Sequence, residues 1–176
     1  MPFAVTHILV AVVLVELFRE YFVKNNKIFP RYYILIAAIG GLIPDLDIPI
    51  NLIFNFPFGK NPIDFLHILL VPFALFLIGI AAHYSGIKSS EARKRHMKLT
   101  TIFFILAATS LIHLGLDLIT TQNAIFYPFS NIMIGFNVIS LFPESVNLII
   151  LPIVDGLLLL FWLFWMEFKL KITDYF

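Results

Sequence analysis

Cysteine is absent from the 176-residue chain, which removes disulfides, thiolate metal sites and a cysteine nucleophile at once. Charge is scarce: Asp, Glu, Lys and Arg make up 13% of the residues, about half the share in a soluble domain. Twelve basic residues against eleven acidic ones leave a formal net charge of +1, without the basic excess of a nucleic-acid binder. The N-terminus lacks the basic region of a signal peptide, Arg19 being its first basic residue, so an uncleaved first helix is expected. No internal repeat, low-complexity tract or linker divides the chain. What is abundant is apolar surface: 60% hydrophobic residues, 20 Phe and a mean hydropathy of +0.95. Such a composition excludes a water-soluble globule and a disordered chain. Residues 1–176 read as one all-α domain, a polytopic transmembrane helix bundle whose first partner is the lipid bilayer.

A helix crosses the hydrocarbon layer with about 20 mainly apolar residues. Segments 3–22, 63–84, 99–121 and 146–168 meet that length. Segment 32–43 is short, is interrupted by Gly40-Gly41 and Pro44, and is followed by an apolar run over 48–58. It reads as a broken span, tolerated at depth only where protein or water satisfies its backbone. About five membrane segments are therefore expected. In that alternating arrangement eleven of the twelve basic residues share one side, and only Lys60 falls on the other. The positive-inside rule makes the shared side cytoplasmic. The expectation is a multi-pass protein of the cell (inner or plasma) membrane, with the N-terminus and loops 44–62 and 122–145 outside and the C-terminus cytoplasmic. The basic loop 88–98 reads as a topology signal that also meets anionic lipid.

Ionisable groups within membrane segments are costly, about 2.5–3.5 kcal/mol each on insertion scales, and mark function by default. Here they are His7, Asp45, Asp47, His67, His113, Asp117 and Asp155. At 1.5 Å per residue most lie about 18–28 Å above the nearest cytoplasmic basic residue or helix floor, which places them in one layer of the outer half of the membrane. The layer contains no Lys or Arg, so its carboxylates must protonate or find a cation. Imidazole and carboxylate together suit Zn, with Mn or Fe as further choices. His113 and Asp117, spaced i,i+4, share a helix face. Asp45 and Asp47 flank Leu46 and can both point inward only if the backbone there is not regular helix. Seven candidate ligands exceed the four of a structural zinc site and would serve one or two divalent ions. Taken singly, these residues also fit interfacial turns, hydrogen-bonded pairs or caps. Asp64, following Asn61-Pro62, reads first as a helix-capping acid and second as a ligand or catalytic base.

The order of motifs carries a resemblance. Thr6-His7 is followed by Gly40-Gly41-Leu42-Ile43-Pro44-Asp45-Leu46-Asp47, then His67, then His113-Leu114-Gly115-Leu116-Asp117, then Tyr127-Pro128-Phe129-Ser130, then Asp155. The combination of G-x-x-P-D-x-D with H-x-x-x-D resembles the YdjM-like family of membrane-bound, metal-dependent hydrolases. The resemblance implies that His7, Asp45, Asp47, His67, His113 and Asp117 bind metal, and that Asp155 matches an acid of the family's last helix. The family's His-Arg and Thr-His-Ser around the central histidine are replaced here by Asn61-Pro62-Ile63-Asp64-Phe65-Leu66-His67, which lacks the basic residue and the hydroxyls.

The function expected is a membrane hydrolase using metal-activated water on a phosphoester or other ester of a lipid or lipid-linked substrate, with Asp64 as the catalytic base. Two alternatives stand beside it. One is a non-catalytic membrane protein with a structural metal, a buried polar core or an ion-handling role. The other is a scaffold engaging a soluble regulator through loop 88–98. Oligomeric state and substrate are not legible.

Overall fold

The computed structural model describes residues 4–24, 29–54, 66–85 and 90–170. Asp64 lies outside the described residues, as do Lys27, Lys60, Lys88 and Lys171 of the charge argument. The described chain is helical, with helices α1 (Ala4–Phe18), α2 (Tyr32–Leu42), α3 (Asp47–Phe54), α4 (Leu70–Ser85), α5 (Ser90–Thr120) and α6 (Glu144–Leu170). Among the described residues the only strand-like pairing is an isolated antiparallel bridge, Asn123 with Ile134.

Fewer helices are long enough to cross a bilayer than the five segments expected. Two qualify, Arg93–Thr120 and Ser145–Phe168, and the pair Tyr32–Leu42 and Pro44–Ile50, bent by 53°, makes a third if counted as one span. The shortfall has local causes. In α1 the regular ladder gives way at Arg19–Val23 to a π-helical turn, closed by Lys24 at φ 52° with its N–H on Arg19 O at 2.9 Å. Pro72 sits in the first turn of α4, where a missing N–H is tolerated, and α4 begins only at Leu70. Pro44 opens a 3-10 turn over Pro44–Leu46 that bends the second segment.

Glycines let the first, second and fifth helices touch. A Cβ on Gly41 would lie 3.0 Å from His7 O and 3.2 Å from Ala11 Cβ, and one on Gly40 would run into Thr109 Oγ1 with Leu106 Cα at 3.1 Å. Gly40 thus seats α2 on α5 while Gly41 seats it on α1, as small residues do between membrane helices. Ser110 Oγ donates to Gly40 O across that seam at 3.0 Å. Below it Val15, Phe29, Tyr33, Ala37 and Ile105 form the apolar core. Helix α4 packs on α5 with Gly79 against Phe103 and Phe104, and α6 stands to one side against α1. The segment after α5 folds back over the same end of the bundle. Asn123 and Ile134 exchange backbone hydrogen bonds at 2.9 and 3.0 Å, Phe136 N–H reaches Leu118 O at 2.7 Å, and Leu69 N–H reaches Ile125 O at 2.8 Å.

Candidate metal centre

The ends of several elements meet under that folded-back segment. His7 lies in the first turns of α1, Asp45 in the 3-10 turn, Asp47 at the start of α3, His67 just before α4, and His113 and Asp117 near the end of α5. The 3-10 turn satisfies the geometric condition on Asp45 and Asp47: both face inward while Leu46 between them is 47% exposed. His7, Asp47, His113 and Asp117 are at most 1% exposed and His67 is 3% exposed.

Two imidazole nitrogens and two carboxylate oxygens of these residues come close to one another. His67 Nε2 and His113 Nε2 are 3.4 Å apart. Asp45 Oδ1 lies 3.4 Å from His67 Nε2 and 3.6 Å from His113 Nε2. Asp117 Oδ2 lies 3.5 Å from the first and 3.3 Å from the second. The opposite nitrogen of each imidazole is engaged from outside: His113 Nδ1 donates to Gly41 O at 2.7 Å and His67 Nδ1 meets Asp47 Oδ2 at 2.9 Å. A carbonyl only accepts, so His113 carries its proton on Nδ1 and turns the Nε2 lone pair inward. Hydrogen bonding to Asp47 does the same for His67. His7 completes the cluster, its ring stacked on His113 at 3.8 Å and its Nε2 3.4 Å from Asp117 Oδ1. Two groups could hold a metal ion: His7 with His113 and Asp117, and Asp45 with His67 and His113.

The electrostatics make a demand on this arrangement. Three carboxylates converge here, and neither oxygen of Asp117 receives a hydrogen bond among the described residues although both are buried. Isolated buried carboxylates are strongly disfavoured unless paired, protonated or bound to a cation.

Asp155 is not among either donor group; it accepts a hydrogen bond from Thr6 Oγ1, which ties α6 to α1 one residue before His7. At the opposite end of the bundle, Glu16 and Arg19 are both buried, 1% and 5% exposed; of the two, only Arg19 entered the expectations above, as a cytoplasmic charge. The sequence signal for Glu16 is an acid inside the first apolar run, three residues before the first arginine. His83 and His96 stand at that same end, with His96 Nδ1 3.1 Å from Ser85 Oγ.

The described chain is thus an all-helical membrane protein with a buried His/Asp centre that could hold a metal ion. Over residues 1–173 it matches the YdjM inner membrane protein family, and it belongs to that family. No curated protein and no solved structure matches it.

Proposed function

We propose that this chain is an integral-membrane, metal-dependent hydrolase of phosphoester or other ester bonds in lipid or lipid-linked substrates. The observation that carries the reading is the spacing of His67 Nε2, His113 Nε2, Asp45 Oδ1 and Asp117 Oδ2, at 3.3–3.6 Å over the five separations given above. Donors about 2.0–2.2 Å from a tetrahedral zinc ion lie about 3.3–3.6 Å from one another. Charge-assisted hydrogen bonds would instead bring such atoms to about 2.7–2.9 Å. Two imidazole lone pairs facing each other at 3.4 Å also need a positive charge between them. The N₂O₂ donor set fits zinc first, with manganese or iron as the alternatives.

In this reading Asp47 and Gly41 O are the outer partners that orient the two imidazoles, as is usual for metal-bound histidine. Asp117 is two-sided, with Oδ2 in the cage and Oδ1 toward His7, so a second ion beside His7 would share that carboxylate. Asp155 steadies the N-terminal end of α1 through Thr6. Asp45, 18% exposed against 2% or less for the other three donor side chains, marks the side from which substrate and water enter. A divalent ion held there supplies a bound water of lowered pKa and polarises the ester oxygen. Asp64 stands three residues before His67, within about 10 Å of chain reach, and is the proposed acceptor of the water proton. The topology proposed is five crossings with the N-terminus outside: α1 and its π-helical turn span 20 residues from Ala4 to Val23, about 30 Å.

Each of the two groups offers three donors, but if Asp45 and Asp117 both joined the two histidines on one ion, the four would complete a structural zinc site, whereas catalytic sites keep a position for water. That count favours a structural metal as the second reading. Elemental analysis of the protein purified in detergent separates the outcomes when paired with hydrolysis of a chromogenic phosphodiester and of phospholipid. A stoichiometric metal lost in His113→Ala, together with metal-dependent turnover lost in Asp64→Asn at unchanged metal content, supports the hydrolase. Metal without turnover supports the structural reading, and absence of stoichiometric metal defeats both.

A further inference from the structure

The two donor groups of the centre have His113 in common, and His113 cannot serve both. Its Nδ1 donates to Gly41 O, so only Nε2 has a lone pair to give, and one lone pair binds one ion. Ring orientation decides which group keeps it, because an imidazole lone pair lies in the plane of its ring. The rings of His67 and His113 are inclined at 60° with centroids 5.3 Å apart, and their Nε2 atoms can converge on one ion. The rings of His7 and His113 are stacked at 3.8 Å and inclined at only 20°, so their lone pairs run side by side and do not meet. Asp45, His67 and His113 therefore form one coordination group, and His7 stands outside it. His7 Nε2 faces Asp117 Oδ1 at 3.4 Å, while Asp117 Oδ2 is the oxygen turned to the other two histidines. The His7 position is also the looser of the two. Its donors are His7 Nε2 and one carboxylate oxygen, and His7 Nδ1 is buried with no hydrogen-bond partner among the described residues. It lacks the outer contact that Gly41 O gives His113 and Asp47 gives His67, a contact worth about 10–100-fold in metal affinity.

We infer that the centre takes two divalent ions of unequal hold: a tight one among Asp45, His67 and His113, and a loose one between His7 Nε2 and Asp117 Oδ1 that fills its remaining positions with water and a phosphoryl oxygen of the substrate. The inference rests on the hydrolase reading and deepens it by specifying a phosphoester substrate that recruits the second ion. Charge points the same way. Asp45, Asp47 and Asp117 bring three formal negative charges to the centre, and the polar layer has no Lys or Arg. One divalent ion leaves an excess of negative charge, which repels a phosphate ester; a second reverses the sign and attracts it. A neutral carboxylic ester would gain nothing from that reversal. Paired divalent ions also suit phosphoryl displacement, where they hold the attacking and the leaving oxygen.

The test is the metal content of the full chain in detergent, dialysed against buffered free zinc at rising levels, with and without inorganic phosphate, and read by elemental analysis. Zinc should bind as one tight equivalent and one weaker by about tenfold or more. Phosphate should tighten the second and leave the first unmoved. His7→Gln should lose the second equivalent and the phosphate effect but keep the first. Cobalt(II) in place of zinc gives the first equivalent a visible spectrum set by its donors, which should match wild type in His7→Gln and change in His67→Gln. A retained first equivalent with the native spectrum also reports that His7→Gln is folded, and the wild-type titration decides the count even where that variant does not fold. One equivalent at every zinc level overturns the inference. So do two of equal affinity, a second indifferent to phosphate, or a first equivalent with an altered spectrum in folded His7→Gln. Turnover persisting in any of these cases leaves the hydrolase reading standing. Two unequal equivalents without phosphodiester turnover would instead keep the second ion and remove the hydrolase.

Discussion

Asp47→Ala tests the centre at its most informative point. Asp47 is fully buried, and its Oδ2 meets His67 Nδ1 at 2.9 Å, while none of the four inward-facing donor atoms belongs to it. If its role is to orient and polarise His67, removing it should weaken metal binding without abolishing it. Loss of such an outer partner costs about 10–100-fold in affinity, or about 1.4–2.7 kcal/mol. His113→Ala, by contrast, removes one of four donors together with the Nδ1 contact to Gly41, and should leave no metal after dialysis. Asp47→Asn keeps an acceptor oxygen for His67 and should lose less than about tenfold. Affinity is read by competition against a chromogenic chelator in detergent, and the melting temperature of each metal-free variant reports folding separately. Asp47→Ala that is as metal-free as His113→Ala would make Asp47 a direct donor and refute the assignment of His67 Nδ1. Wild-type affinity in Asp47→Ala would show that His67 does not reach the ion at all.

Chelation of the loaded wild-type protein should lower its melting temperature by about 5–10 °C, since ligand at a hundred times its Kd stabilises by about 2.7 kcal/mol and each kcal/mol moves a chain of this size by about 2–4 °C. Differential scanning fluorimetry reads the shift, and an unchanged temperature removes the ion from the account. Gly40→Ala should destabilise by about 1–3 kcal/mol, the usual cost of overpacking, because its methyl meets Thr109 Oγ1 and Leu106. Thr109→Ala in the same chain should restore part of the loss, whereas Gly115→Ala, with nothing within 4 Å of its Cβ, should be near neutral. Thr6→Val, which breaks the hydrogen bond to Asp155, should cost about 0.6–1.7 kcal/mol in thermal stability, the range for polar contacts between membrane helices, and leave metal content intact; loss of metal would make Asp155 a donor.

The polar layer was legible because cost and rarity make it so: histidines and aspartates in apolar segments stand out, and counting 1.5 Å per residue from the basic floor places most of them together. The bend at Pro44 followed from asking how Asp45 and Asp47 could face one way. What each residue does inside the layer was not legible. Asp47 and Asp45 look equivalent in sequence, and the order of two neighbouring turns decides that one faces His67 Nδ1 and the other Nε2. Asp155 matched the others in depth, yet depth fixes only one of three coordinates, and its helix presents it to Thr6. The number of long spans was overestimated because hydropathy does not register backbone defects: the π-helical turn after Phe18 and the late start of α4 at Leu70 shorten elements whose apolar runs continue past them. The burial of Glu16 was not legible because a charge near the end of an apolar run is ordinarily interfacial, whereas this one is 1% exposed.

Glu16 bears on what the centre is for. A conduit for ions would need polar groups from one end of the bundle to the other, and here there are polar groups at both ends. His7 and Glu16 on α1 are about 14 Å apart along the axis. The buried residues between them are Leu9, Ala11, Val12 and Val15, met by Ala37 from α2 and Ile105 from α5. The hydroxyls nearest this layer on α5 are turned into the backbone: Thr109 Oγ1 donates to Ile105 O at 2.7 Å and Ser110 Oγ to Gly40 O at 3.0 Å. Among the described residues, a cation passing from one cluster to the other would shed its water against aliphatic side chains with no donor oxygen to replace it, a cost of the same kind that keeps charged residues out of membrane helices. Among the described residues the two clusters are therefore divided by an apolar layer. That separation supports the hydrolase reading proposed above over an ion conduit.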